Sequence, residues 1–211
     1  MSQSQPKPKV YRVRNLPIHV DRLLTRELLS QALPDLALRD IRIFSVAKVV
    51  DRWERQPTRT ATVTFCRTPR VIEKKPRSLE WTVQLPGLPR PLIIDTHFLG
   101  MTPLNDVTEA DHVYDCIAIS GLSSHPFGSW QPHAGDKEFM WIRDELPTKL
   151  PGVRAILYGY DTTLVNSRSF QTIPDLALSF IAELKANGWT SLTAKPIMFL
   201  AHSLGGVINK P

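Results

Sequence analysis

Apolar and polar residues alternate through most of the first hundred positions, in runs about as long as a β-strand. VYRVRNLP (10–17) alternates and then turns at Asn-Leu-Pro, which predicts a strand. DRLLTRELLSQAL (21–33) breaks that rhythm: Leu23, Leu24, Leu28 and Leu29 recur at helical spacing, with Asp21 placed to cap the start. DIRIFSVAKVVD (40–51), TRTATVTF (58–65), EWTVQL (80–85) and PLIIDTHFL (91–99) return to strand patterning. Between them, TPRVIEKKPRS is too broken by proline to predict a regular helix. A strand, a helix, two strands and a final strand make an α+β sandwich of split-βαβ type.

From residue 112 the rhythm changes to strand, helix, strand, helix, strand. HVYDCIAIS (112–120), VRAILYGYD (153–161) and PIMFLA (196–201) are short apolar runs rich in strand formers. FMWIRDELPTKL (139–150) has helical spacing through Trp141, Ile142, Leu146 and Leu150, with Pro147 set to end it early. TIPDLALSFIAELKANG (172–188) carries a broad stripe of Leu176, Leu178, Phe180, Ile181 and Leu184, and Asn187-Gly188 supplies a stop. This alternation predicts an α/β class unit with a parallel sheet under covering helices.

Charge divides the chain in the same place. The net charge is +6, but residues 1–110 hold 18 Lys/Arg against 11 Asp/Glu, whereas residues 111–211 hold 8 against 9. A basic half and a near-neutral half suggest two units with different work. The expected division is a flexible tail at 1–9, an α+β domain at 10–99, a linker at 100–111 and an α/β domain at 112–211. Nothing approaches 18 consecutive apolar residues, so no transmembrane segment is expected. The N-terminus has positive charge but no apolar core after it, unlike a secretory signal. The two cysteines, Cys66 and Cys116, suit a reducing compartment, and the default location is cytoplasmic.

The order of the first half resembles an RNA-recognition-motif domain, with VRNLP and TRTATVTF standing where the signature strands would be. RNA binding on such a sheet uses exposed aromatic rings that stack on bases. Here the matching positions carry Thr60, Thr62 and Arg12, while Tyr11 should face the other way. The domain therefore reads as degenerate. Arg12, Arg14 and Arg59 could hold a phosphate backbone, but the missing aromatics argue against RNA and for a solvated face used for protein contacts or spacing.

The chemistry gathers at the end of the chain, in KPIMFLAHSLGGVINKP. A serine on a sharp strand-to-helix turn is forced into a strained backbone conformation that lifts its hydroxyl above the sheet. The residues two before and two after it must be small. Around Ser203 these are Ala201 and Gly205, with Gly206 behind. The first strand of the second half ends in ISGLSSHPFGSW (119–130), a glycine-containing loop at the place where one oxyanion donor would come from. By that logic the backbone N–H groups of Leu122 and Leu204 are the two donors, with Gly121 allowing close approach.

Together GLSSHPFGSW, MWIRDELPTKLPGVRAILYGYD and PIMFLAHSLGG resemble the fungal lipase-like, serine-active-site-containing α/β-hydrolases of the DUF676 type, over about residues 112–208. The resemblance implies an α/β-hydrolase fold and Ser203 as a nucleophile toward an ester or lipid acyl group. It also implies association with endoplasmic-reticulum or mitochondrial membranes. Ser120 stands where many such proteins have histidine, which leaves the backbone donor intact and removes a side-chain role there.

A serine hydroxyl needs an adjacent base, and the base an orienting acid; in this fold both follow the serine in chain order. After Ser203 come only LGGVINKP. His125 and His133 lie on the oxyanion side, but nothing in the sequence arranges an acid behind them, and Asp161 reads as a turn cap. The chain therefore resembles the front half of a hydrolase, expected to be inactive alone. An incomplete gene model, alternative splicing or a natural pseudoenzyme would each give this ending. The other expectation is a non-catalytic scaffold whose basic half contacts a partner. No phosphate loop or dinucleotide turn occurs, and the six histidines and two cysteines have no metal-ligand spacing, so neither cofactor nor metal is expected. Phe127, Trp130, Phe139, Trp141 and Trp189 read as core, with an acyl pocket as the alternative.

Overall fold

Two sheets organise the chain in the computed structural model, which describes residues 9–51, 55–121, 124–132, 135, 136, 138–161 and 172–208. The first sheet comprises β1 (Val10–Pro17), β2 (Ile41–Lys48), β3 (Thr58–Phe65), β4 (Glu80–Val83) and β5 (Leu92–Asp95). Its order is β2-β3-β1-β5-β4, and every pair is antiparallel. Helix α1 (Arg22–Ala32) joins β1 to β2, and the short α2 (Arg70–Glu73) follows β3. Asp21 caps α1 by accepting the Leu24 N–H at 2.9 Å, as its position predicts.

Two bulges set which residues reach which face. In β1 the register shifts between Val13 and Leu16, around Asn15 at φ +65°. In β2 it shifts between Ile43 and Ser45. Tyr11, Val13, Leu16, Ile41 and Ile43 consequently share one core with Leu29 and Leu33 of the α1 region and Ile72 of α2. Phe44, at the bulge, points the other way and packs against Phe127, ring centroids 6.1 Å apart. That second face is closed as well: Arg12, Ser45, Thr60, Thr62 and Thr64 are all buried.

The second sheet comprises β6 (Gly100–Pro103), β7 (Tyr114–Ile119), β8 (Val153–Gly159) and β9 (Ile197–Ala201), in the order β6-β8-β7-β9. β7 runs parallel to both neighbours, but β6 is antiparallel to β8. The three predicted strands β7, β8 and β9 run parallel as expected, and β6 adds an antiparallel edge, so the fold is mixed α/β. The stretch read as a linker begins with an edge strand, a common addition to parallel sheets. The segment predicted as one helix around residues 139–150 forms two single turns, α3 (Trp141–Asp144) and α4 (Leu146–Lys149), with Pro147 in the first turn of the second. α5 (Ile173–Ala186) opens with a capping box, in which Thr172 and Asp175 bond each other's backbone N–H. The Thr172 N–H and hydroxyl both donate to the Asp175 carboxylate and lower its pKa. α6 (Leu204–Ile208) follows β9.

Side chains alternate across β7 and β8 and divide the core. Ala118, Ala155 and Leu157 pack with Met140, Ile142 and Phe127 on one face; Ile117, Ile119, Ile156 and Tyr158 pack with Leu176 and Phe180 of α5 on the other. The chain leaving β7 covers the first face and α5 the second, as in a doubly wound sheet. Among the described residues no helix is long and apolar enough to cross a membrane.

Candidate active site

Because β8 lies on one side of β7 and β9 on the other, the carboxyl ends of β7 and β9 flank a point where the chain departs to opposite faces. Open α/β sheets bind ligands at such switch points. Ser203 is there. It has φ +55°, one of three non-glycine residues with positive φ among the described residues, and it occupies the single turn position between His202 and α6. A left-handed conformation costs a serine of order 1 kcal/mol or more, so surrounding contacts must impose it.

Those contacts are identifiable. The His202 N–H donates to the Ile119 carbonyl at 3.0 Å, extending the β7–β9 ladder up to the turn. The Gly205 and Gly206 N–H groups then donate to the His202 and Ser203 carbonyls at 3.1 and 3.0 Å and start α6. A Cβ on Gly205 would lie 2.6 Å from the Ile119 carbonyl oxygen and 2.8 Å from that of Ser120, so only glycine lets the helix close on the sheet. A Cβ on Gly121 would lie 2.9 Å from Ser203 Cβ and 3.1 Å from His202 Nδ1. Gly121 and Ser203 are therefore in direct proximity, with the serine side chain exposed. Leu204 is the first residue of α6, where a helical N–H has no intrahelical acceptor. Leu122 lies outside the described residues, as does His133.

The end of β7 is braced from β8. The Tyr160 hydroxyl donates to the Ser120 carbonyl at 2.8 Å, and burial pushes the phenol pKa up to about 12. Ser120 Oγ is buried with no hydrogen-bond partner among the described residues.

Among the described residues no histidine is hydrogen-bonded to Ser203. His125 Nδ1 accepts the N–H groups of Phe127 and Gly128 at 3.2 and 3.3 Å, and its Nε2 faces the Thr96 carbonyl at 2.9 Å. This pattern fixes a neutral ring with the proton on Nε2. Its ring also packs against Phe98, so it is a structural histidine holding residues 124–130 to the first sheet. His202 is exposed beside Gly121. The best acid–histidine pair, His112 Nε2 to Asp115 at 2.9 Å, is at the amino end of β7, about 20 Å of strand from Gly121. There Asp115 also accepts two bonds from Arg154 and one from the Trp189 indole, making it the anchor of three elements. Asp115 and Arg154 are register partners, a pairing the sequence hints at only through one acid and one base in apolar strands.

Arg12, Arg14 and Arg59, the candidates for phosphate contact, are engaged internally. Arg12 is 2% exposed; its guanidinium bonds Asp95, the Leu99 carbonyl and Thr102 Oγ1, each at 2.9 Å, and so ties β1 and β5 to β6. Burial lowers its pKa, and Asp95 opposes that shift. Arg14 pairs with Asp95 and Glu80, and Arg59 with Asp106 and the Ile18 carbonyl. The sheet face that would receive RNA is interior. Glu80, Asp95 and His97 come close enough to ligate a cation, but Arg12 and Arg14 already bring two positive charges to those carboxylates. The cluster is an ion-pair network.

The core reading holds for Phe127, buried with Phe44 and Phe98; Trp130, Phe139 and Trp189 are half-buried, Trp189 bonding Asp115, and Trp141, 39% exposed against the edge of Trp130, corrects it. Cys116, buried in β7, has its thiol pushed up to about 11 by burial, which leaves it a small apolar group. No family model, curated protein or solved structure matches this chain.

Proposed function

We propose that Ser203 is the nucleophile of an acyl-transfer site of serine esterase or lipase type, with the Leu204 N–H and a donor from the loop after Gly121 facing the oxyanion. One observation carries this reading: a serine in the left-handed region, between a parallel strand and a helix, packed against the glycine at the end of the neighbouring strand. Strand–turn–serine–turn–helix is the context such nucleophiles require. The mixed sheet supports an α/β-hydrolase-like unit, and the antiparallel order β2-β3-β1-β5 supports an RNA-recognition-motif-like unit before it.

In the reaction, Ser203 Oγ would add to the acyl carbonyl carbon, its proton would pass to a base, and the leaving alkoxide would take a proton as the carbonyl re-forms. A positioned general base is worth about 10²–10⁴ in rate. Without one, the described residues supply the nucleophile and part of the oxyanion hole, and the chain alone turns over esters slowly or not at all. Added imidazole can stand in for the base. A fluorophosphonate probe should therefore label the tryptic peptide containing Ser203 when imidazole is present and far less without it, with no label there in Ser203→Ala. Labelling spread over other exposed serines at similar rates would overturn the assignment.

A second reading is that the chain is a binding scaffold. It is favoured by one observation: the basic side chains of residues 70–77 have no hydrogen bond or ion pair among the described residues, unlike Arg12, Arg14 and Arg59.

A further inference from the structure

On the first sheet's helical side, α1 ends at Ala32 and the chain turns through Leu33, Pro34 and Asp35 beside α2. Between these segments is a cleft of about 610 Å³, within the range that holds a small ligand or a few side chains. Ala32, Leu33, Pro34 and Val71 give it an aliphatic lining; Arg67, Arg70 and Lys74 stand around it. Its walls are already tied together. The Asp35 carbonyl accepts from the Arg67 guanidinium, and the Asp35 carboxylate accepts the Arg70 N–H at 2.9 Å. Asp35 thereby occupies the start of α2, Arg67 also pairs with Asp40, and the cationic side chains that remain open are those of Arg70 and Lys74.

Those side chains are concentrated. Residues 67–77 hold five Lys/Arg and one acid, Glu73. Arg70 and Lys74 are four residues apart, with Lys74 still in helical conformation, so they project on one side of the turn. Like charges so close are mutually unfavourable unless an anion answers them.

We infer that this cleft docks an acidic peptide segment carrying an apolar side chain, with carboxylates on Arg70 and Lys74 and the apolar group against Ala32, Pro34 and Val71. Recognition of acidic motifs by cation clusters is a recurring mode. A single-stranded nucleic acid fits less well, because no aromatic ring lines the cleft to stack on a base. The assignment rests on the binding reading of the basic half and is independent of any chemistry at Ser203.

The test is fluorescence anisotropy with the full chain and a labelled peptide in which Glu and Asp flank two leucines. Companion probes are the same peptide with Gln and Asn for the acids, the same peptide with Ser for the leucines, and a labelled oligouridine. The expected result is saturable binding of the acidic leucine peptide, weakened about tenfold or more in Arg70→Glu/Lys74→Glu and weakened again when serine replaces leucine. Both substituted side chains are exposed, so an unchanged melting temperature should accompany the loss. Acidic-peptide binding that ignores the charge reversal, or tighter binding of oligouridine, would overturn the inference. Equal binding of the neutral leucine peptide would overturn the acidic specificity while sparing the binding reading; binding of none of the probes would remove both.

Discussion

Replacing Arg12 by methionine is expected to destabilise the chain by about 3 kcal/mol and to lower its melting temperature by roughly 10 °C. Methionine fills much of the space, so the loss would come from what the guanidinium leaves behind. Asp95, fully buried, would keep Arg14 but lose its shorter and drier partner, while the Leu99 carbonyl and Thr102 Oγ1 would lose a donor inside the protein. A buried acceptor without a partner costs about 1–3 kcal/mol. Arg14→Met should cost much less, because Arg14 is a third exposed and water screens its pairs. Adding Asp95→Asn to Arg12→Met should recover part of the loss by removing the charge. Urea unfolding of the single and double variants measures all three. A neutral Arg12→Met would mean that Arg12 is not the tie between the two sheets.

Replacing Gly205 by alanine should slow imidazole-assisted labelling of Ser203 about 100-fold, a rate cost appropriate to a displacement near 1 Å, and cost about 2 kcal/mol in stability. The new methyl group would meet two carbonyl oxygens at the end of β7, and backbone cannot swing aside as a side chain can. α6 would lift from the sheet and take the turn at 203 with it. Gly206→Ala is the internal control, since its added carbon would sit 3.9 Å from Ala201 Cβ, an ordinary contact. Labelling in that variant should be close to that of the unaltered chain. Equal rates in both variants would separate the reactivity of the serine from the geometry of the turn.

Much of the architecture was legible in the hydrophobic pattern because each element buries its own stripe. β1, β3, β9, α1 and α5 lie where alternation or helical spacing puts them, and Asp21 and Thr172 cap where short polar side chains should. The turn at Ser203 was legible for a different reason: small residues at fixed offsets report a steric requirement that Gly205 and Gly121 then display.

Three features were hidden, each set by contacts between distant segments. The bulges in β1 and β2 leave the composition of a strand unchanged but flip the faces of the residues after them, so that Leu16 and Val46, in place of Asn15 and Ser45, turn toward the helices. Arg12 looks like surface charge in an alternating strand until Asp95 and Thr102, more than eighty residues away, are brought around it. β6 carries Gly100, Thr102 and Pro103, a turn-like composition, and becomes a strand because β8 offers an open edge. The same reasoning explains why His125, the loop histidine on the oxyanion side, does not act as a base: its Nδ1 is claimed by backbone N–H groups that no local pattern announces.

The central claim is that the residue at 203 is held in the left-handed region against Gly121. Backbone NMR of the labelled chain tests it most directly. The predicted result is a strong intraresidue cross-relaxation peak between the Ser203 amide and Hα protons, which positive φ brings close, together with a peak between the Gly121 Hα protons and the Ser203 β protons. A weak intraresidue peak with carbon shifts of ordinary helix or strand at Ser203, or the absence of any Gly121 contact, would contradict the account.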